Sequence, residues 1–152
     1  MIIASEVLRV TCDKAELDVE LIHAFLSEQS AWARGIALPT VQKSIEHSLC
    51  FGGFLGSAQV AFARVISDFA TFANLVDVFV LPGHRGHGYS KRLIERVIAH
   101  PDLQGLRRFT LATTNAHGLY AQFGFTVLHA PEAHMERYDA KVYGSAKHAA
   151  KS

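Results

Sequence analysis

Apolar and polar residues change their spacing several times along the chain, and each change predicts an element. Val7, Leu8 and Val10 give a short strand over 6–11. Val19, Ile22, Phe25 and Leu26 recur at helical spacing and predict a helix over 18–27. Residues 29–38 read as a loop, and Pro39 opens a second short helix that runs through Ile45 and Leu49. A β-rich middle follows: strands over 50–55 and 58–66 flank Gly56-Ser57, a two-residue hairpin signal. Residues 68–71 make another turn, and 72–81 is the most strand-like stretch. Leu93, Ile94, Val97 and Ile98 share one helical face, and His100-Pro101 ends that helix. A strand over 109–112, a helix over 116–123 with Gly124 as its C-terminal cap, and closing strands over 125–128 and 135–138 complete the pattern.

The order is β, two helices, a β meander, then β-loop-α-β-α-β. It predicts a single α/β domain over 3–140, with a mixed, partly antiparallel central sheet and a small, polar, mobile tail over 141–152. A chain of 152 residues has the size of one domain and can bury a core without staples.

Fifteen Lys+Arg balance fourteen Asp+Glu, so no charge excess points to nucleic acid or to a membrane surface. The first residues lack the basic and apolar regions of a signal peptide, and no apolar run reaches a bilayer-spanning length. Cys12 and Cys50 read as reduced thiols of a cytoplasmic protein. Neither lies at metal-ligand spacing, and the nine histidines form no HxxxH or HExxH pair, so no metal is expected.

The candidate chemistry lies where the strand over 72–81 meets a loop with three glycines before a helix. Such a loop aims backbone N–H groups, backed by the positive end of the helix dipole, at one point: a phosphate cradle. Glycine permits close approach and positive φ there, and Arg85 can add a charge-assisted bond. An ordinary tight turn is the alternative. Three motifs nearly fit. The P-loop pattern GxxxxGK[ST] spans 83–90 but meets Tyr89 where its lysine belongs, and GxGxxG fits Gly86 and Gly88 and fails at Lys91. The third is RxxGxG/A. Arg85-Gly86-His87-Gly88-Tyr89-Ser90 resembles this pyrophosphate loop of the GNAT N-acetyltransferase superfamily, with Ser90 in place of a final Gly or Ala. Asn115-Ala116-His117-Gly118-Leu119-Tyr120, followed by Gly124-Phe125, resembles a later motif of the same superfamily, one helix and one strand further on.

The resemblance implies a splayed sheet wrapped by helices, acetyl-coenzyme A as donor and an amine as acceptor, and it leaves a homodimer open. It also implies roles. The amides of Arg85, Gly86, His87, Gly88, Tyr89 and Ser90 would hold the pyrophosphate. The backbone of Val78, Phe79 and Val80 would pair with the pantetheine arm like an added strand, and an amide there could polarise the thioester carbonyl. Asn115 would bond the same arm; as a helix N-cap it has an alternative duty. Tyr120 would protonate the departing thiolate, the alternative being a core aromatic. Asp77 is the candidate general base, on a face shared with Phe79 and Leu81 and opposite Val76, Val78 and Val80; a solvent-facing carboxylate is its alternative. Trp32 and Arg34 are candidate acceptor contacts. A non-catalytic acetyl-coenzyme A sensor and a P-loop-like nucleotide binder are the rival functions.

Overall fold

A computed structural model describes residues 7–144. Five strands form one sheet in sequence order: β1 (Arg9–Thr11), β2 (Leu49–Leu55), β3 (Ala58–Ser67), β4 (Phe72–Val80) and β5 (Arg108–Leu111). The first four pair antiparallel as a meander, and β5 joins β4 in parallel. The mixed sheet expected from the β-meander and the later β-α-β order is therefore present. The parallel step requires a crossover, which the helix α3 (Tyr89–Ala99) supplies.

Helices cover both faces. On one side α3 buries Leu93, Ile94 and Val97 completely against the sheet. Each such aliphatic contributes about 1.5–3 kcal/mol relative to exposure. On the other side α1 (Val19–Ala24) and α2 (Leu38–Glu46) bury Ile22, Val41 and Ile45 with Phe62 and Phe79. Asp18 caps α1, its carboxylate accepting from the Leu21 N–H. The helical run then continues as a π-turn over Phe25–Gln29, closed by Ser30, whose N–H reaches the Phe25 carbonyl. Pro39 lies in the first turn of α2, but the helix stops at Glu46 and Leu49 belongs to β2. The short α4 (His117–Ala121) follows β5, and Gly124 adopts φ +89 just beyond it.

The expected closing strands over 125–128 and 135–138 do not form. Residues 125–138 hold only a 3-10 turn, Pro131–Ala133, and no strand pairs with β5 on its outer side among the described residues. The reason is exposure: Phe125 packs on Phe109 of β5, but beyond it Val127 is 84% exposed and Met135 98%, so the later apolar residues that suggested strands are not buried on the sheet in this chain. The mobile tail expected over 141–152 lies largely outside the described residues; 142–144 are helical.

The turn between β3 and β4 is held by one side chain. The Asp68 carboxylate accepts from the Thr71 hydroxyl at 2.6 Å and from the N–H groups of Thr71, Ala70 and Phe72. Those bonds, the Thr71 hydroxyl foremost, hold its carboxyl well below the usual 3.8. A depressed carboxyl pKa stabilises the fold above the usual value and ceases to do so as pH falls through the depressed one. Asp68→Ala is therefore expected to lower Tm at neutral pH, with the gap to wild type narrowing below pH 3.8. A gap unchanged into strong acid would show that the carboxylate is not the source.

Candidate active site

Strand β4 is kinked in its middle. Its register with β3 runs Leu75↔Val65 and Val76↔Arg64, then resumes at Phe79↔Phe62, so β4 carries one extra residue there. Asp77 sits in this bulge at φ +55, a left-handed conformation that Asp tolerates better than most residues. The bulge shifts the alternation by one: Leu75 and Val80, five apart, belong to the same core cluster. A strict two-residue period along β4, on which the expected faces rested, holds only on each side of the bulge.

At the same point β4 and β5 part. Their pairing ends at Leu75↔Leu111, just after Thr110 donates its hydroxyl proton to Asn74 Oδ1 at 2.8 Å. From Val76 to Val80, β4 remains bonded to β3 but has no strand on its other side among the described residues. An extended edge of this kind, containing Val78, Phe79 and Val80, can accept a peptide-like ligand as an added strand.

The edge leads into the glycine loop. Pro82–His84 forms a 3-10 turn, and α3 starts at Tyr89 with Gly88 as its cap. Gly86 and Gly88 take φ +84 and +78, and a Cβ built on either would meet nothing within 4 Å. Gly88 caps α3 with no side-chain hydrogen bond, so the first N–H groups of the helix are not covered by a cap side chain. A cavity of about 340 Å³ lies here, lined by Val80, Arg85, Gly86, Gly88, Ser90 and Gln122 among others. It fits a phosphate group: backbone donors, a helix N-terminus, and space where side chains would stand. Arg85 turns back and donates Nε to the Val80 carbonyl at 3.0 Å, tying loop to strand. The His87 ring lies 5.6 Å from that of Tyr89, which is itself buried in the core.

Tyr120, on α4, is 8% exposed, packs edge-on to Phe125, and lines a second, larger cleft of about 870 Å³ beside β5. Burial pushes its phenol pKa above the usual 10. It is thus both a core residue and a cleft residue. Asn115 is exposed, and the N-cap position of α4 falls on Ala116. Thr113 Oγ1 takes the Ala116 N–H instead, so the capping duty considered for Asn115 is not used.

Trp32 and Asp77, 45 residues apart in sequence, are joined. The indole N–H donates to Asp77 Oδ1 at 2.8 Å, and Arg64 Nε donates to Oδ2 at 2.9 Å. Arg64 continues to Ser48 Oγ at 3.0 Å. The Asp77 side chain is only 10% exposed, which removes the solvent-facing alternative; nor is it surrounded by apolar groups alone, since it forms an ion pair. Arg34 points elsewhere, donating to the Glu28 carbonyl at 3.1 Å. Sequence reasoning missed Arg64 and Ser48. The available signal was a lone arginine within the apolar strand 60–66, a position that needs an acid nearby.

Among the described residues no cluster of three or more His, Cys, Asp or Glu side chains could hold a metal, and no helix is long and apolar enough to cross a membrane. Cys50 is fully buried, and desolvation raises its thiol pKa to about 11, so it is not a poised nucleophile.

Comparison with known proteins gives one answer. The crystal structure of a GNAT-family protein from Xanthomonas campestris pv. campestris, named as a candidate acetyltransferase, superimposes with a TM-score of 0.89 at 59% identity, covering 92% of this chain and 99% of that one. Glucosamine-6-phosphate N-acetyltransferase from Arabidopsis thaliana shares the fold at TM-score 0.60 and 15% identity, over 88% of this chain and 99% of that one. A Gibberella zeae protein named as a candidate acetyltransferase is 30% identical over 74% of this chain and 75% of its own length. Residues 46–127, which span β2 to β4, the glycine loop, α3, β5 and α4, match the acetyltransferase (GNAT) domain, and the chain belongs to that family.

Proposed function

We propose that this chain transfers an acetyl group from acetyl-coenzyme A to an amine by direct attack within a ternary complex. The observation that carries the reading is the parting of β4 from β5 at Leu75↔Leu111, which leaves an unpaired strand edge running straight into the glycine loop. The donor supplies an activated acyl group and a thiolate leaving group. The protein's part is to hold, orient and move protons. The amides of 85–90 bind the pyrophosphate, the edge at Val78–Val80 aligns the pantetheine arm, and Asn115 bonds it from the α4 side. Tyr120 delivers a proton to the leaving sulfur.

An amine of pKa about 10.4 is almost wholly protonated at neutral pH and must lose its proton before attack. Asp77 is the proposed acceptor of that proton, directly or through water, with Trp32 and Arg64 fixing the carboxylate. Trp32, 54% exposed, is the proposed acceptor contact; Arg34 would reach an acceptor only by leaving the Glu28 carbonyl. The general test is a panel of diverse amines assayed for coenzyme A thiol release; release with no amine in the panel above the hydrolytic background would favour the sensor.

Asp77→Asn separates chemistry from architecture. Asn accepts the same left-handed φ and can still bond the indole, but it loses the charge facing Arg64. Stability should fall by about 1–3 kcal/mol, the cost of leaving a part-buried group imperfectly paired. If Asp77 is also the base, kcat should fall about 10²–10⁴-fold and the acidic limb of the pH-rate profile should disappear. Loss of stability with an unchanged profile would assign Asp77 to architecture alone.

A further inference from the structure

β5 has a partner on one side only, and all four of its residues are half-buried. Its outer side faces the cleft of about 870 Å³, whose walls include Phe109, Leu111, Phe123 and Phe125. An unpaired edge beside an apolar cleft is a template for another strand. The chain also carries an arm that packs little on its own body: Val127, Leu128 and His129 line one rim of that cleft and the rest extends beyond it. It leaves the body at Phe125, which packs on Tyr120 and Phe109, and returns at Tyr143, which packs on the α1–α2 side. Between them Val127, Met135 and Tyr138 are 84%, 98% and 76% exposed.

We propose that the cleft beside β5 takes the arm, residues 127–142, of a second copy of this chain, and that each copy gives its own arm in exchange. A two-fold exchange of this kind satisfies both orphan features with one contact, because edge and arm occur once in each copy. Charge adds a weaker match. From Leu103 to Pro131 the only charged residues are Arg107 and Arg108, which lead into β5 and form no ion pair among the described residues. The arm brings the three acids Glu132, Glu136 and Asp139 against the two bases Arg137 and Lys141, and is net acidic by one charge. A stable interface needs about 20–30 residues a side, a size that the arm and the cleft lining together reach. Tyr120 and His117 line the same cleft, so the incoming arm would wall the space beside α4. The inference holds whether or not the chain transfers acetyl groups.

The test is the mass of the full chain in solution, by sedimentation between about 1 and 100 μM, where a dimer is expected. V127E/M135E places two charges at sites that are open in the single chain, so its fold should be kept by circular dichroism. Its dimer dissociation constant should rise by at least about 100-fold, the cost of burying charges in an apolar contact. Hydrogen exchange adds a local readout: amides of 108–111 should be protected in the wild type and lose protection in the variant. A monomeric wild type overturns the proposal, including one with β5 protected, which would mean the arm closes on its own chain. A variant that dimerises as tightly as wild type places the interface elsewhere and overturns it too.

Discussion

Tyr120→Phe should leave acetyl-coenzyme A affinity nearly unchanged and lower turnover about 10²–10⁴-fold, the usual worth of a positioned acid. The substitution removes one hydroxyl and keeps the ring that packs on Phe125. Among the described residues that hydroxyl has no hydrogen-bond partner, so its loss breaks no internal bond. The chemistry is balanced: the departing thiolate, whose thiol has a pKa of about 8.5, takes a proton from a phenol of about 10, uphill by a unit or two. Burial raises the phenol further, which keeps it protonated and available across the neutral range. The sign follows. The donor is competent below its pKa and lost above it, so the wild-type rate should fall on an alkaline limb above pH 10 that the Phe variant lacks. Full activity in Tyr120→Phe would reduce Tyr120 to a core aromatic and leave water as the acid.

Gly88→Asp should abolish coenzyme binding and keep the fold. The residue stands at φ +78 at the start of α3, with open space where its Cβ would project. Asp enters the left-handed region more readily than most residues, so the backbone cost is about 1–2 kcal/mol at most. The electrostatic cost is larger. A carboxylate about 4 Å from a phosphate charge is repelled by about 4 kcal/mol at an effective dielectric of about 20. That is close to a thousandfold in affinity. Normal binding by a folded Gly88→Asp chain would move the phosphate site away from this loop.

Local patterns in the sequence carried much of this arrangement. Gly56-Ser57 sits in the β2–β3 turn, with Gly56 at φ +60, because a tight hairpin selects such residues. The face of Leu93, Ile94 and Val97 identified α3, and the glycines at 86 and 88 lie at positive φ as a cradle requires. What the sequence hid depends on distant partners. The bulge at Asp77 has no glycine to announce it, and it emerges only from the register against β3. The Trp32–Asp77 bond joins segments with no shared pattern. Phe125, Val127 and Met135 look like strand residues, yet a strand needs a neighbour, and in the single chain those over 127–138 have none. Asn115 does not cap α4, because the helix starts one residue later than the motif suggested and its N-cap position falls on Ala116, which has no capping side chain.

The central claim is that the loop after β4 and the unpaired edge leading to it bind acetyl-coenzyme A. Thermal unfolding with and without ligand tests it without knowing the acceptor. At 100 times Kd the ligand should add about 2.7 kcal/mol of stability to the wild type. For a domain of this size that is a Tm rise of about 5–10 °C. ATP should give no rise, and Gly88→Asp should give none with either ligand. A rise with ATP and none with acetyl-coenzyme A would contradict the account.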